Sequence, residues 1–312
     1  MRVIIVGLGV QGRKRLAVAG GDVAAVVDPV SAGASHRTLE DVPLASFDAA
    51  LVCTPEAAKP GILRYLLRHG KHVLVEKPLL ADPDELRTLG ALAQSAGVAC
   101  YTAYNHRFEP HVVRLRDLLA NDVLGEVYMA RLFYGNGTAA DVHRSPWRDQ
   151  GMGVLADLGS HLLDLTRFLF GGRDADQFES WSVSRFENDA PDHVLFGSPA
   201  RPVLALEATL ASWRNTFTID VIAERGSAHL DGLCKWGPSR FIVRRRVLPS
   251  GRPDESIDTV EMPDPTWRLE YEHFARLCQS GSVSVDNDVW ISQVLDGVFV
   301  QSCERVGQDE RR

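Results

Sequence analysis

The chain has 312 residues, of which 45% are hydrophobic and 24% charged, and its formal net charge is −7. That length suggests two domains, the composition is that of a folded globular protein, and the negative balance argues against a surface built to track nucleic-acid phosphates. Five cysteines with no Cys-x-x-Cys spacing argue against a disulfide framework and a thiolate zinc site, so no metal is expected. No signal-like leader and no apolar run of membrane-spanning length stand out, which makes the cytoplasm the expected location and a membrane an unexpected partner.

In chain order, residues 2–6 form a short apolar run and residues 10–19 a helix. Residues 23–27 are a second apolar run, closed by Asp28 and Pro29. Residues 49–53 are a third, ended by Thr54 and Pro55. A helix follows at 57–69 and stops at Gly70; a strand at 72–76 leads to Pro78. Asp82 and Pro83 open a helix to residue 95, Gly97 stops it, and 98–104 is a further strand. Strands apolar on both faces and separated by helices imply a parallel sheet covered on both sides.

Beyond Tyr104 the pattern changes. A helix at 110–121 leads to a strand at 127–134, a polar loop at 135–150 and an amphipathic helix at 155–170. Strand-like runs at 180–187, 203–212, 216–223 and 241–248 are joined by turns, which implies a mostly antiparallel sheet. Helical segments at 267–279 and 289–304 close the chain. The expected class is α/β: a doubly wound, Rossmann-type parallel-sheet domain over residues 1–104 and an α/β domain with a large, mostly antiparallel sheet over 105–312.

Gly7-Leu8-Gly9-Val10-Gln11-Gly12 follows the first strand and opens the first helix. In that context the glycines allow a tight turn and bring backbone N–H groups, those of Val10 and Gln11 included, to a pyrophosphate at the helix N-terminus. Asp28 ends the second strand, where a carboxylate accepts ribose hydroxyls and repels a 2′-phosphate, so NAD is favoured and NADP stays open. The segment between Asp28 and the third strand is short and is a poor helix candidate. Arg13, Lys14, Arg15 and Arg37 read as solvated surface charges, although they are the residues that would accept a 2′-phosphate.

Glu76-Lys77-Pro78 sits at the carboxyl end of an expected parallel strand, where open α/β sheets bind ligands. The Lys77 ammonium either caps that strand in water or stabilises developing alkoxide charge. Asp157 and His161 are four residues apart on one helix, with Asp164 near the same side. A histidine there serves as a proton acceptor from a hydroxyl; the pair reads equally well as an ordinary helix-surface contact. Two such groups are too few for a metal site.

Taken together, these residues resemble the Gfo/Idh/MocA oxidoreductases over nearly the whole chain. The resemblance rests on Gly7–Gly12, Thr54-Pro55, Glu76-Lys77-Pro78, Asn105-His106-Arg107-Phe108, Leu124-Gly125-Glu126-Val127, and the run from Asp157 to Asp164. It implies a Rossmann domain followed by an α/β domain with an open sheet. It also implies a catalytic group of Lys77, Asp157 and His161, and a Lys77–Pro78 bond that is often cis in relatives. The implied cofactor contacts are Gly7, Gly9, Val10, Gln11, Gly12, Asp28, Thr54, Pro55, Glu76, Lys77 and Asn105. The chain departs from the family pattern at Arg15 and Lys59, where relatives often carry histidine, at Glu56, where they often carry asparagine, and at Gln150-Gly151-Met152-Gly153, where a third glycine is common.

The expected activity is hydride transfer between a nicotinamide cofactor and a carbinol carbon of a sugar, cyclitol or sugar derivative. Two alternatives stay open: an NAD-dependent glycoside-cleaving enzyme of the same fold, and a non-catalytic dinucleotide or sugar sensor. Lys77, Asn105, Asp157 and His161 are expected against the substrate. Trp147 is expected either to stack on a sugar face or to pack the domain junction, and Arg148 to pair with an anionic group. Relatives pair through the face of the second sheet, which implies a homodimer or homotetramer.

Overall fold

A computed structural model of the chain describes residues 1–145, 148–281 and 285–309, the last five of these by backbone alone. The first elements are β1 (Val3–Val6), α1 (Val10–Ala19), β2 (Val23–Val27), β3 (Ala49–Val52), α2 (Lys59–Arg68), β4 (His72–Glu76), α3 (Pro83–Ala96) and β5 (Cys100–Ala103). The strands form one parallel sheet in the order β2-β1-β3-β4-β5. Strand side chains alternate across it. Ile4 and Val6 pack with Leu63, Leu66 and Leu67 of α2 and Leu86 and Leu89 of α3 on one face. Val3 and Ile5 pack with Ala19 of α1 on the other. This is the doubly wound sheet that two-faced apolar strands require.

The segment after Asp28 forms no α-helix, only a 3-10 turn at Leu44–Ser46. It folds back so that His36 makes a single parallel bridge to Val27, with Ser35 N–H and His36 N–H both donating to the Val26 carbonyl. Two residues thus cover the outer edge of β2 where a full strand would need a longer crossover.

The following elements are α4 (Pro110–Ala120), β6 (Val127–Gly135), α5 (Ala139–His143), α6 (Ser160–Phe170) and strands β7 (Glu179–Ser184), β8 (His193–Ser198), β9 (Val203–Thr209), β10 (Thr216–Ala223), β11 (Gly226–Asp231), β12 (Ser239–Arg245) and β13 (Asp254–Val260). Eight of these strands form a second sheet in the order β13-β12-β11-β10-β6-β9-β8-β7. Every neighbouring pair is antiparallel except β6 with β9. Alternate residues of β9 and β10 are buried, which leaves one face of the sheet half-exposed. Strands β8, β11 and β13 escaped the sequence reading. β13 is exposed along most of its length and so shows no apolar alternation.

The helix expected over 155–170 does not begin as an α-helix. Residues Leu155–Gly159 form a π-helical turn, and the α-helix runs from Ser160. Such wide turns are rare and gather at functional sites.

The chain closes with α7 (Thr266–Ser280) and α8 (Asp286–Asp309). The chain divides into two compact units, Met1–Asn105 with Pro265–Ser292, and His106–Asp264 with Gln293–Arg312. The sequence pattern places all of 105–312 in one domain, whereas residues 265–292 belong to the first unit. The difference lies in α7: Phe274 and Tyr271 pack into the cluster of Val3, Ile5 and Leu51, and the Tyr271 hydroxyl donates to Asp22 at 2.7 Å. Apolar periodicity shows that a helix buries a face but not which sheet receives it. Phe274 is fully buried in this cluster, so Phe274→Ala should cost about 3–5 kcal/mol of stability in chemical denaturation. A loss below about 1 kcal/mol, the range of surface substitutions, would separate α7 from that core.

Candidate active site

All five strands of the first sheet run parallel, so their carboxyl ends reach one edge. That edge carries Gly7–Gly12 after β1, Asp28 after β2, Thr54 and Pro55 after β3, Lys77 after β4 and Asn105 after β5. Gly7 has φ +92°, and a Cβ there would lie 2.7 Å from the Cys53 carbonyl oxygen. A Cβ on Gly12 would lie 1.9 Å from the Gly7 carbonyl oxygen, so only glycine lets α1 sit this close to β1. A Cβ on Gly9 would meet nothing within 4 Å, and Val10 is 74% exposed. The N-terminus of α1 has no side-chain cap and no acidic residue in its first turn. Its free N–H groups and positive end of the helix dipole suit a diphosphate. The Thr54 hydroxyl is buried with no hydrogen-bond partner among the described residues. The edge therefore fits a dinucleotide.

Asp28 does more than the sequence reading assigned to it. One carboxylate oxygen accepts from Leu8 N–H at 2.7 Å; the other accepts from Ser31 N–H at 2.7 Å and Val30 N–H at 3.0 Å. The Leu8 N–H does most to hold the carboxyl below its ordinary pKa; burial opposes it, and the Ser31 and Val30 N–H groups and the Arg37 charge add to it. Asp28 thus shapes the glycine loop from the end of β2.

Arg15 is not the surface charge expected. Its side chain is 1% exposed and is paired with Glu76 at 2.6 Å and Glu270 at 2.6 Å. Burial opposes its charge, but Glu270 and then Glu76 more than offset that, so its pKa is raised. Its guanidinium lies 4.3 Å from the Trp267 ring centroid, and the Lys14 ammonium 4.9 Å from the same centroid. Glu76, expected to contact cofactor, gives one carboxylate oxygen to Arg15. The buried Asn105 amide donates to the Thr266 hydroxyl at 2.7 Å. Lys77 is half-buried at the end of β4, and the Lys77–Pro78 bond is cis.

In the second unit, His161 is 6% exposed and Asp157 is half-buried. The His161 ring stacks on that of His106 with centroids 4.3 Å apart and an interplanar angle of 20°. Tyr134, from the end of β6, meets His161 edge-on at 5.7 Å and lies 5.3 Å from His106. Burial first, and the Asp157 charge second, push the Tyr134 hydroxyl pKa up, so it remains a neutral donor. Trp236 lies 6.0 Å from Tyr134. Arg148 reaches Asp157 at 3.9 Å, while Trp147 lies outside the described residues. Asp164 is committed elsewhere: it is buried and accepts a paired contact from Arg107, one bond being 2.8 Å. The Asp157–His161 spacing was visible in the sequence. The aromatic enclosure by His106, Tyr134 and Trp236 was not, because it joins four separate elements. Among the described residues no cluster of His, Cys, Asp or Glu is placed to hold a metal, and no helix is long and apolar enough to cross a membrane.

Asp28→Asn keeps one acceptor oxygen for three backbone donors. Without any cofactor, it should lower the melting temperature at neutral pH. A carboxyl whose folded pKa is lowered contributes stability above its unfolded pKa of about 3.9, and loses it as pH falls through the folded value. The gap between wild type and D28N should therefore narrow below about pH 4. Equal melting temperatures at pH 7 would mean that Asp28 serves ligand alone.

Comparison with known proteins agrees with this layout. The family described as "Oxidoreductase family, NAD-binding Rossmann fold" matches residues 1–104, and the GFO/IDH/MocA C-terminal domain matches residues 112–229. The trans-1,2-dihydrobenzene-1,2-diol dehydrogenase of Bos taurus is 29% identical over 204 residues, covering 63% of this chain and 58% of that protein. The inositol 2-dehydrogenase of Rhizobium meliloti (strain 1021) is 26% identical over 140 residues, 45% of this chain and 42% of that protein. The matched region thus spans less than two thirds of each relative. A solved levoglucosan dehydrogenase in complex with NADH shares the fold, with a TM-score of 0.82 at 18% identity over 97% of both chains.

Proposed function

The chain belongs to the Gfo/Idh/MocA oxidoreductases, and we propose that it oxidises or reduces a carbinol carbon of a sugar, cyclitol or sugar derivative with NAD. The observation that carries this reading is the open glycine cradle at the uncapped start of α1, on the same sheet edge as Lys77. The names of the relatives support a ring bearing hydroxyls as substrate: a dihydrobenzene diol, an inositol and levoglucosan. Bound NAD would supply the hydride acceptor.

The residues then divide the work. Gly7 to Gly12, with Val10 and Gln11, hold the diphosphate by backbone N–H groups. Asp28 faces the adenosine ribose while holding the loop. Lys77 donates to the carbinol oxygen and stabilises its developing negative charge. His161 accepts the proton that the hydroxyl loses. The stacked ring of His106 fixes the plane of that imidazole. Asp157, one turn earlier, orients the substrate or the imidazole, and Arg148 steadies Asp157 from its other side. Trp147 and Asn105 complete the substrate contacts. The half-exposed face of the eight-stranded sheet supports a homodimer or homotetramer.

A panel of sugars, sugar acids, cyclitols and nucleotide sugars, read by NADH absorbance, tests the activity. On an active substrate, His161→Asn or Lys77→Ala should lower kcat by about two to four orders of magnitude. NAD affinity and melting temperature should stay near wild type. The oxidation rate of wild type should rise with pH as imidazole sheds its proton, and H161N should lack that rise. Near-normal turnover in H161N with the wild-type pH profile would remove His161 as the base.

A further inference from the structure

Lys59 is an unusual residue for its place. It is the first residue of α2 and only 3% exposed. Burial disfavours an ammonium, the N-terminus of a helix disfavours a cation, and the charge of Lys77 repels it. Core packing does not call for a lysine, since α2 buries Leu63, Leu66 and Leu67 against the sheet. The position instead supplies one short bond: Lys59 Nζ donates to the Pro78 carbonyl oxygen at 2.6 Å. A charge-assisted bond of that length is among the stronger ones a side chain makes. Its acceptor is the residue directly after Lys77.

We propose that Lys59 is a positioning residue for the reaction set out above, holding through the Pro78 carbonyl the strand end that carries Lys77. The proposal rests on the reading of Lys77 as the group that holds the substrate oxygen. Lys59 touches no reacting atom and acts through the backbone just beyond β4.

The same surroundings make this bond sensitive to pH. The Lys59 pKa is lowered to about 8, by burial first and by Lys77 in the same direction; Glu56, Glu76 and Cys53 pull it the other way. Those groups face it from the turn before α2, the end of β4 and the end of β3, and Arg15 of α1 neutralises part of the Glu76 charge. An ordinary lysine keeps its proton to about pH 10.4. Lys59 loses it near pH 8, and the bond to Pro78 then loses its charge assistance. Turnover should fall as pH rises past that value.

The test uses the full chain, with Lys59→Met to remove the donor and Lys59→Gln to keep a neutral, non-titrating one. In K59M, kcat should fall about ten- to a hundredfold, the effect of a small misplacement of a reacting group, with NAD affinity changed less than about twofold. K59Q should recover most of the rate and lack the alkaline fall. A second readout needs no turnover. The chain has five lysines, Lys14, Lys59, Lys71, Lys77 and Lys235, so 13C-lysine labelling gives few resonances to assign. One should titrate near pH 8 and be absent from K59Q, and the Lys77 resonance should move in K59M. If wild type is active but K59M, shown folded by circular dichroism, keeps the wild-type rate and pH profile, the inference falls and the proposed function stands. If K59M does not fold, a K59Q variant with an unchanged alkaline fall overturns it. If wild type turns over nothing, the proposed function fails, and an unmoved Lys77 resonance in K59M would overturn this inference as well.

Discussion

One buried cation ties the first unit together. Arg15 takes its charge into the interior of the fold, where it is tolerated only because two carboxylates meet it at 2.6 Å. Those carboxylates come from opposite ends of the sequence: Glu76 from the strand that delivers Lys77, and Glu270 from α7. The guanidinium therefore joins the glycine-loop helix, the end of β4 and the C-terminal segment in one network. Removing Arg15 would leave two buried carboxylates without their cation, which is costlier than the bonds themselves are favourable.

The parallel order of the sheet does the rest of the placing. In an antiparallel sheet successive strand ends alternate between edges; here all five carboxyl ends meet at one. Residues as far apart in sequence as Gly7 and Asn105 thus come to the same edge of one sheet. The N–H groups of the glycine loop are shaped partly from outside it, by the Asp28 carboxylate at the end of the next strand. Lys59 and Arg15 act from the two helices beside that edge, and both grip β4 around Lys77, one through Pro78 and the other through Glu76.

The second unit solves a different problem. The ring of His161 is buried, stacked on the His106 ring and met edge-on by Tyr134. The π-helical turn before α6 leaves Asp157 half-exposed while His161 is buried. The acidic partner next in the helix, Asp164, is withdrawn from this group by Arg107. The two carboxylates flanking this histidine in sequence thus meet different arginines, Asp157 meeting Arg148 and Asp164 meeting Arg107.

Much of this was legible in the order of residues. The doubly wound sheet follows from strands apolar on both faces, and the dinucleotide edge from glycines placed between a strand and a helix, because both rest on local periodicity and backbone sterics. The four-residue spacing of Asp157 and His161 is likewise plain in the sequence, although Asp157 falls in a π-helical turn and His161 in α6. The tertiary structure decided whatever depends on contacts between distant elements. It buried Arg15, which stands among basic neighbours and looks like a surface residue, because Glu76 and Glu270 converge on it from far along the chain. It moved α7 to the first sheet, since an amphipathic helix specifies a buried face and not its recipient. It turned Lys59 from one charge in a loop-to-helix junction into a donor to Pro78. Local pattern encodes which side of an element is apolar; the partner of a buried charge is encoded only by the fold that brings the two together.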